Sequence, residues 1–236
     1  MAGYHSALTF LHDKCGVASR SLLPSVAMVL PLSIVLPRKG RRSFSQELQR
    51  WFWRTSILQT YAQGANTQCV RDAKELAAWL ENVNSEPETV RRFEGVEIDA
   101  LMDARRRNEM LLRGLLCGIV ATGALDWDGE TKLSAVGGLV PHKVMTKQQL
   151  QQDDEEGDLV VDYTVLVPAT HKVSINREFV KLSDEEWSVL DKHLIPKGPA
   201  SSGAWQLFRK KRAELARALL DKRNLSTSLR HRCAVV

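Results

Sequence analysis

The alternation of apolar and polar positions marks four long helical segments. From about Ser43 to Ala62, Leu48, Trp51, Phe52 and Thr55 recur at the spacing of one helix face. Ser43 and Gln46 have the separation of a capping box at its start. Gly64 closes this segment, and Asn66 or Thr67 caps the next, where Val70, Ala73, Ala77 and Leu80 share a face. A third helix is predicted from about Glu97 to Ala121. It has one stripe at Ile98, Leu101 and Met102, a second at Leu112, Leu115, Leu116 and Ile119, and Gly123 as its stop signal. The last covers about Trp205 to Lys222, with Trp205, Phe208, Leu215 and Leu219 inward and its basic residues outward.

Between the third and last helices the texture changes to glycines, short β-branched runs and the acidic stretch Asp153 to Asp158. Val160 to Val167 reads as a strand. Ser183 and Glu186 then open a short helix that brings Trp187, Leu190 and Leu194 together. The expected fold is mainly α, a helical bundle with a small α+β insert of ββα-metal type. Its expected division is a helical module over 1–123, the α+β segment over 124–180, closing helices over 181–222 and a flexible tail over 223–236. The most apolar run, Leu22 to Leu36, is too short to span a bilayer and is interrupted by Pro24 and Pro31, which predicts a bent, buried helix. Residues Met1 to Lys14 lack the pattern of a signal peptide.

The chain has 236 residues, enough for one large domain or two small ones. Its 4 cysteines (Cys15, Cys69, Cys117 and Cys233) form no CxxC pair, which argues against a zinc knuckle or redox motif. Cys69 and Cys117 fall in helical patterns as buried, reduced thiols, and a cytoplasmic location is expected. The terminal Cys-Ala-Val-Val matches a prenylation box only at a level that chance supplies.

The net charge of +5 is unevenly spread. Arg209, Lys210, Lys211, Arg212, Arg217, Lys222, Arg223, Arg230 and Arg232 are opposed there only by Glu214 and Asp221. Arg105, Arg106 and Arg107 form a second cluster, and Arg38, Lys39, Arg41 and Arg42 a third. Such clusters suit nucleic-acid phosphates. Solvated helix faces are the ordinary alternative.

The candidate chemistry lies in Asp126-Trp127-Asp128-Gly129, then Leu139 to Met145, Asp162 to Val167, and Thr170 to Val173. A histidine on a short strand, a loop, a second strand and a later polar residue is the layout of a ββα-metal nuclease. There a histidine deprotonates water while neighbouring side chains hold one divalent cation against the scissile phosphate. A lone histidine such as His142 is, by spacing alone, ordinarily structural.

Several stretches resemble, in order, the C-terminal half of GmrSD-type restriction proteins, which target modified phage DNA. Leu22-Leu23-Pro24 ahead of an apolar helix matches that family's pattern. Leu48-Gln49-Arg50-Trp51-Phe52-Trp53-Arg54, with Tyr61, Asn66 and Asp72 downstream, resembles its Trp-Phe-Trp-Arg helix. Gly123-Ala124-Leu125-Asp126-Trp127 resembles the segment before its HNH motif. Asp191-Lys192-His193-Leu194-Ile195-Pro196, with Phe208 and Arg212, resembles its closing stretch.

The resemblance implies His142 as general base, with His171, Asp162 and Asp126 around a Mg²⁺ or Mn²⁺ ion. The basic clusters supply Arg209, Lys210, Arg217, Arg105 and Arg106 as the expected nucleic-acid contacts. The chain departs from the family where Pro141 occupies a metal-ligand position, where Tyr163 replaces the first asparagine, and where His171 replaces the second. Full-length relatives begin with a ParB-like domain, but this chain has neither that domain's Asp-Gly-Gln-Gln-Arg motif nor a P-loop. A ParB-like partner subunit is therefore expected, and no membrane association.

Three readings follow: a DNA-associated restriction fragment with little or no cleavage, a working HNH-like endonuclease, and a helical protein-interaction module. Trp51, Phe52 and Trp53 are expected in the core rather than as a base-stacking platform. Arg54 is expected to pair with Asp72 or cap a carbonyl, and His193 to serve at a helix C-terminus.

Overall fold

The computed structural model describes residues 2–38, 44–94, 110–126, 129–136, 138–143, 164–168, 184–194 and 205–223. This part is mainly helical. Its first helix, α1 (Ala2–Cys15), lies in a stretch where the sequence pattern predicts none. It buries Ala7, Phe10, Leu11 and Cys15. It ends at Gly16, whose φ of 74° suits a residue without Cβ.

The apolar run from Leu22 to Leu36 is broken rather than bent. Tight turns at Arg20–Leu22 and Val26–Met28 lead into α2 (Val29–Val35), which packs on α1. Pro24 separates the two turns. Pro31 sits in the first turn of α2, where a missing N–H leaves no helical bond unmade.

Helix α3 (Ser45–Ile57) buries Leu48, Trp51, Phe52, Trp53, Thr55 and Ser56. Ser43 lies outside the described residues, and Phe44 takes the N-cap position without a side-chain cap. The helix stops short of the predicted Ala62, because Gln59 turns left-handed at φ 53°. The Thr60 amide then donates to the Thr55 carbonyl and the Gln59 amide to Ser56, each over 3.3 Å. That pair of bonds is a Schellman closure.

Gly64, at φ 62°, begins α4 (Ala65–Glu81) instead of closing α3, and Asn66 and Thr67 fall inside the helix. The buried face of α4 is Cys69, Asp72, Leu76 and Trp79, offset from the predicted one, and Val70 is 53% exposed. A carboxylate in the middle of this face masks it in the hydropathy pattern. A short helix, α5 (Glu88–Arg91), follows.

Helix α6 (Met110–Ala121) is buried along nearly its whole circumference, and Gly123 stops it at φ 80°. The predicted part from 97 to 109 lies outside the described residues. Gly114 and Gly118 let neighbours approach closely. A Cβ added at Gly114 would meet Ser56, and one at Gly118 would meet Leu219, each at 3.1 Å.

Strands β1 (Leu139–Lys143) and β2 (Thr164–Pro168) pair antiparallel. Residues 160–163 of the predicted strand lie outside the described set. Helices α7 (Asp184–Lys192) and α8 (Trp205–Asp221) close the chain close to their predicted bounds. One apolar cluster joins Leu11, Leu32, Phe52 and Leu112 to Leu139, Leu166, Leu194 and Leu219. Each such leucine removed from water contributes about 1.5–3 kcal/mol before entropy is counted.

Candidate functional site

The β1–β2 pair hangs on the helical body through its inward positions. Leu139 and Leu166 are buried, whereas Val140 is partly exposed. In register His142 stands opposite Val165, and Pro141 opposite Leu166. Proline cannot donate to a ladder and is tolerated on an edge strand; among the described residues the sheet has two strands, both of them edges.

The start of β1 is fastened from the N-terminal region. Ser19 Oγ and Ser21 Oγ both donate to the Leu139 carbonyl, at 3.1 and 2.7 Å. His171 and Asp162, the expected metal ligands, lie outside the described residues, as does the predicted facing of His142 and His171.

Asp126, the third expected ligand, sits in a tight turn after α6. Its amide donates to the Thr131 carbonyl over 2.6 Å, and its own carbonyl accepts from Gly129. Gly129 is left-handed at φ 74°, and a Cβ there would touch Val189 of α7. Asp126 is only 4% exposed. His193 completes this corner, where its buried ring donates from Nε2 to the Leu125 carbonyl over 2.8 Å. The carbonyl only accepts, so Nε2 carries the proton. His193 thus ties the end of α7 to a distant segment. Among the described residues, no group of three His, Cys, Asp or Glu is placed to hold a metal ion.

A second cluster gathers the Trp-Phe-Trp-Arg helix and its downstream residues. Tyr61 donates its hydroxyl to Asp72 Oδ2 over 2.6 Å, and Gln68 donates to Oδ1 over 2.9 Å. The Trp51 indole N–H also faces this carboxylate, short of full hydrogen-bond geometry. Burial pushes the Asp72 carboxyl up to about 6, against the opposing pull of the Tyr61 and Gln68 bonds. Burial likewise raises the Tyr61 phenol. Asp72 pairs with neutral donors and not with Arg54. That guanidinium instead donates to the Val90 carbonyl and lies over the Phe93 ring at 5.0 Å. Trp51, Phe52 and Trp53 are buried, as core packing requires.

The expected nucleic-acid contacts are only partly in view. Lys210 and Arg217 are exposed on α8, with Lys211 and Lys222 beside them. Glu214 stands four positions after Lys210, and Asp221 four after Arg217, so two acids share that exposed face. Arg209 belongs to α8, but its side chain is outside the described set. Arg105 and Arg106 are outside it altogether.

Arg223, counted in the basic cluster by sequence, turns inward instead. Its Nη2 donates to the Gly118 carbonyl over 3.2 Å, and its guanidinium stacks 4.6 Å from the Trp53 ring. Burial lowers its pKa, while Cys15 and Cys117 nearby oppose that shift. Cys15, Cys69 and Cys117 are buried free thiols. Cys117 donates to the Leu22 carbonyl, and burial raises both the Cys15 and the Cys117 thiols. The Tyr61–Asp72 bond and the inward turn of Arg223 have no signature in periodicity or charge. Among the described residues, no helix is long and apolar enough to cross a membrane.

No family model, curated protein or solved structure matches this chain.

Proposed function

We propose that the chain is the C-terminal, helical part of a GmrSD-type restriction protein, associated with DNA and carrying an HNH-like site of weak or no activity. The observation that supports this reading most is the β1–β2 register. It sets His142 on a strand paired with a β-branched partner, the local layout in which a ββα-metal nuclease carries its general base. Residues from stretches that resemble the family also meet in space, Tyr61 with Asp72 and His193 with Leu125. Pro141 argues for weak activity, since it offers no side-chain ligand and Mg²⁺ needs its few protein ligands correctly placed.

In an active site of this kind, a Mg²⁺ or Mn²⁺ ion held by His171, Asp162 and Asp126 would neutralise charge on the scissile phosphate. His142 would take the proton from the attacking water. A ParB-like subunit and DNA would be the partners. Plasmid incubated with Mg²⁺ or Mn²⁺ tests the reading beside a His142→Ala control. Slow nicking lost in the variant, or no nicking but salt-sensitive DNA binding, is expected. Rapid cleavage that His142→Ala leaves unchanged would overturn it.

A second reading, a helical protein-interaction module, is favoured by a different observation. Tyr4, Leu8, Val26, Leu30 and Ile34 are exposed on α1, α2 and the turn before α2. On this reading the cations of α8, diluted by Glu214 and Asp221, serve solubility. DNA binding that is absent or indifferent to salt would favour it.

A further inference from the structure

We infer that His12 is a pH-sensitive clamp that holds the approach to β1 against α1. Its ring reaches two groups at once: Nδ1 lies 2.7 Å from a carboxylate oxygen of Asp13, and Nε2 lies 2.9 Å from the Ser134 carbonyl. Both partners are acceptors. Only the doubly protonated imidazolium donates to both, because a neutral ring has one N–H and one lone pair. Either neutral tautomer leaves a lone pair facing an oxygen at hydrogen-bond distance.

The Asp13 bond raises the His12 pKa above its ordinary 6.5, with the Ser134 carbonyl adding to it and partial burial opposing. Asp13 is the charged group acting on the ring. Lys14 on α1, and Glu130 and Lys132 on the turn, are the other charged residues of the two segments that meet there.

The position of the clamp gives it consequence. Ser134 belongs to the turn Leu133–Ala135, which precedes β1, the strand of His142. Ser19 and Ser21 hold Leu139 a few residues on, without titrating. Among the described residues, His12 is therefore the titratable member of a set of three side chains, with Ser19 and Ser21, whose hydrogen bonds fasten this lead-in to the N-terminal region. A pKa raised by folding means that the stabilisation is fully present below about pH 6.5 and fades as pH rises through the higher folded value. The strand that carries His142 is thus held more tightly in mild acid than in mild alkali.

Two measurements on the full chain test this. Ring-resonance titration should place the His12 pKa above that of an unstructured histidine, and Asp13→Asn should bring it down. Amide hydrogen exchange over Leu139–Lys143, corrected for intrinsic pH dependence, should show severalfold less protection above the His12 pKa than below it. In His12→Gln, which keeps one donor at every pH, that dependence should vanish. This control separates His12 from His142, the histidine of β1 itself. A normal or depressed His12 pKa, or protection of β1 whose pH dependence survives His12→Gln, would overturn the inference.

Discussion

Tyr61 and Asp72 meet in the protein interior, hydroxyl to carboxylate at 2.6 Å, joining the segment after α3 to the buried face of α4. Tyr61 and Gln68 are neutral donors, so ionising Asp72 places a charge among groups that carry none to offset it. With the carboxyl pushed up to about 6 from an ordinary 3.8, the folded chain holds this proton where the unfolded chain has released it. The sign follows: the native state binds more protons across that window, so the Asp72 contribution is full below about pH 4 and is lost as pH rises through about 6. Asp72→Asn has no such titration. The wild-type advantage over Asp72→Asn in urea unfolding should shrink by roughly 3 kcal/mol between about pH 4 and pH 7. A pH-independent difference would mean that Asp72 ionises as an exposed carboxylate does.

Gly16 is the tightest helix–helix contact at the end of α1. A Cβ there would lie 2.2 Å from the Cys117 carbonyl oxygen, and φ is 74°. Both the left-handed backbone and the clash with main chain oppose a side chain. Gly16→Ala should destabilise by at least about 2 kcal/mol in denaturant titration. A loss under half of that would mean that α1 and α6 sit further apart.

The two regions differ in how plainly the sequence encodes them. Helices α3 and α8 are legible because their apolar stripes contrast with polar faces, and α6 because its long apolar run ends at Gly123. Helix α1 is not, although Ala7, Phe10, Leu11 and Cys15 keep helical spacing, because exposed Tyr4 and Leu8 blur that contrast. In α4, buried Asp72 interrupts the apolar stripe, and the predicted face slips onto exposed Val70. The described part of the predicted strand, Thr164 to Val167, falls in β2 and is readable from its β-branched run. The site is less legible still. Residue types placed His142 in a strand, but the hold of Ser19 and Ser21 on Leu139, and of His193 on Leu125, joins positions about a hundred or more apart in one case and dozens in the other. Local periodicity carries no information about such contacts.

His193 offers a direct check on that second contact. Its ring is fully buried and supplies a proton to the Leu125 carbonyl beside Asp126. His193→Phe keeps the packing volume and deletes the donor. It should cost about 1–3 kcal/mol, the penalty for a buried polar group that loses its partner. Amide exchange should localise the loosening to 124–133 and the end of α7. An unchanged stability would show that the bond is replaced by solvent.

Gln59 should be improvable. It holds the left-handed position of a Schellman closure at φ 53°, where glycine is the usual occupant. Gln59→Gly relieves Cβ crowding at the expense of a more flexible unfolded chain, and the first effect is the larger at a left-handed position. A net gain of about 1 kcal/mol is expected in thermal or urea unfolding. A net loss would place the end of α3 in a different conformation.

The charge pattern of α8 sets the DNA reading against the interaction-module reading quantitatively. Lys210 and Arg217 project from a face they share with Glu214 and Asp221, so any phosphate approaching one cation also approaches an acid. If α8 lies along DNA, Lys210→Gln and Arg217→Gln should each lower the slope of log affinity against log salt by about 1, because each releases one fewer counterion. Glu214→Gln with Asp221→Asn should raise affinity at low salt without adding a contact, since repulsion is removed and no phosphate ligand is created. Exposed side chains of this kind contribute little to folding, so all these variants should unfold as the parent does. Binding that none of the four substitutions alters would move the DNA surface away from α8, and with it the strongest charge argument for nucleic acid in the described part of the chain.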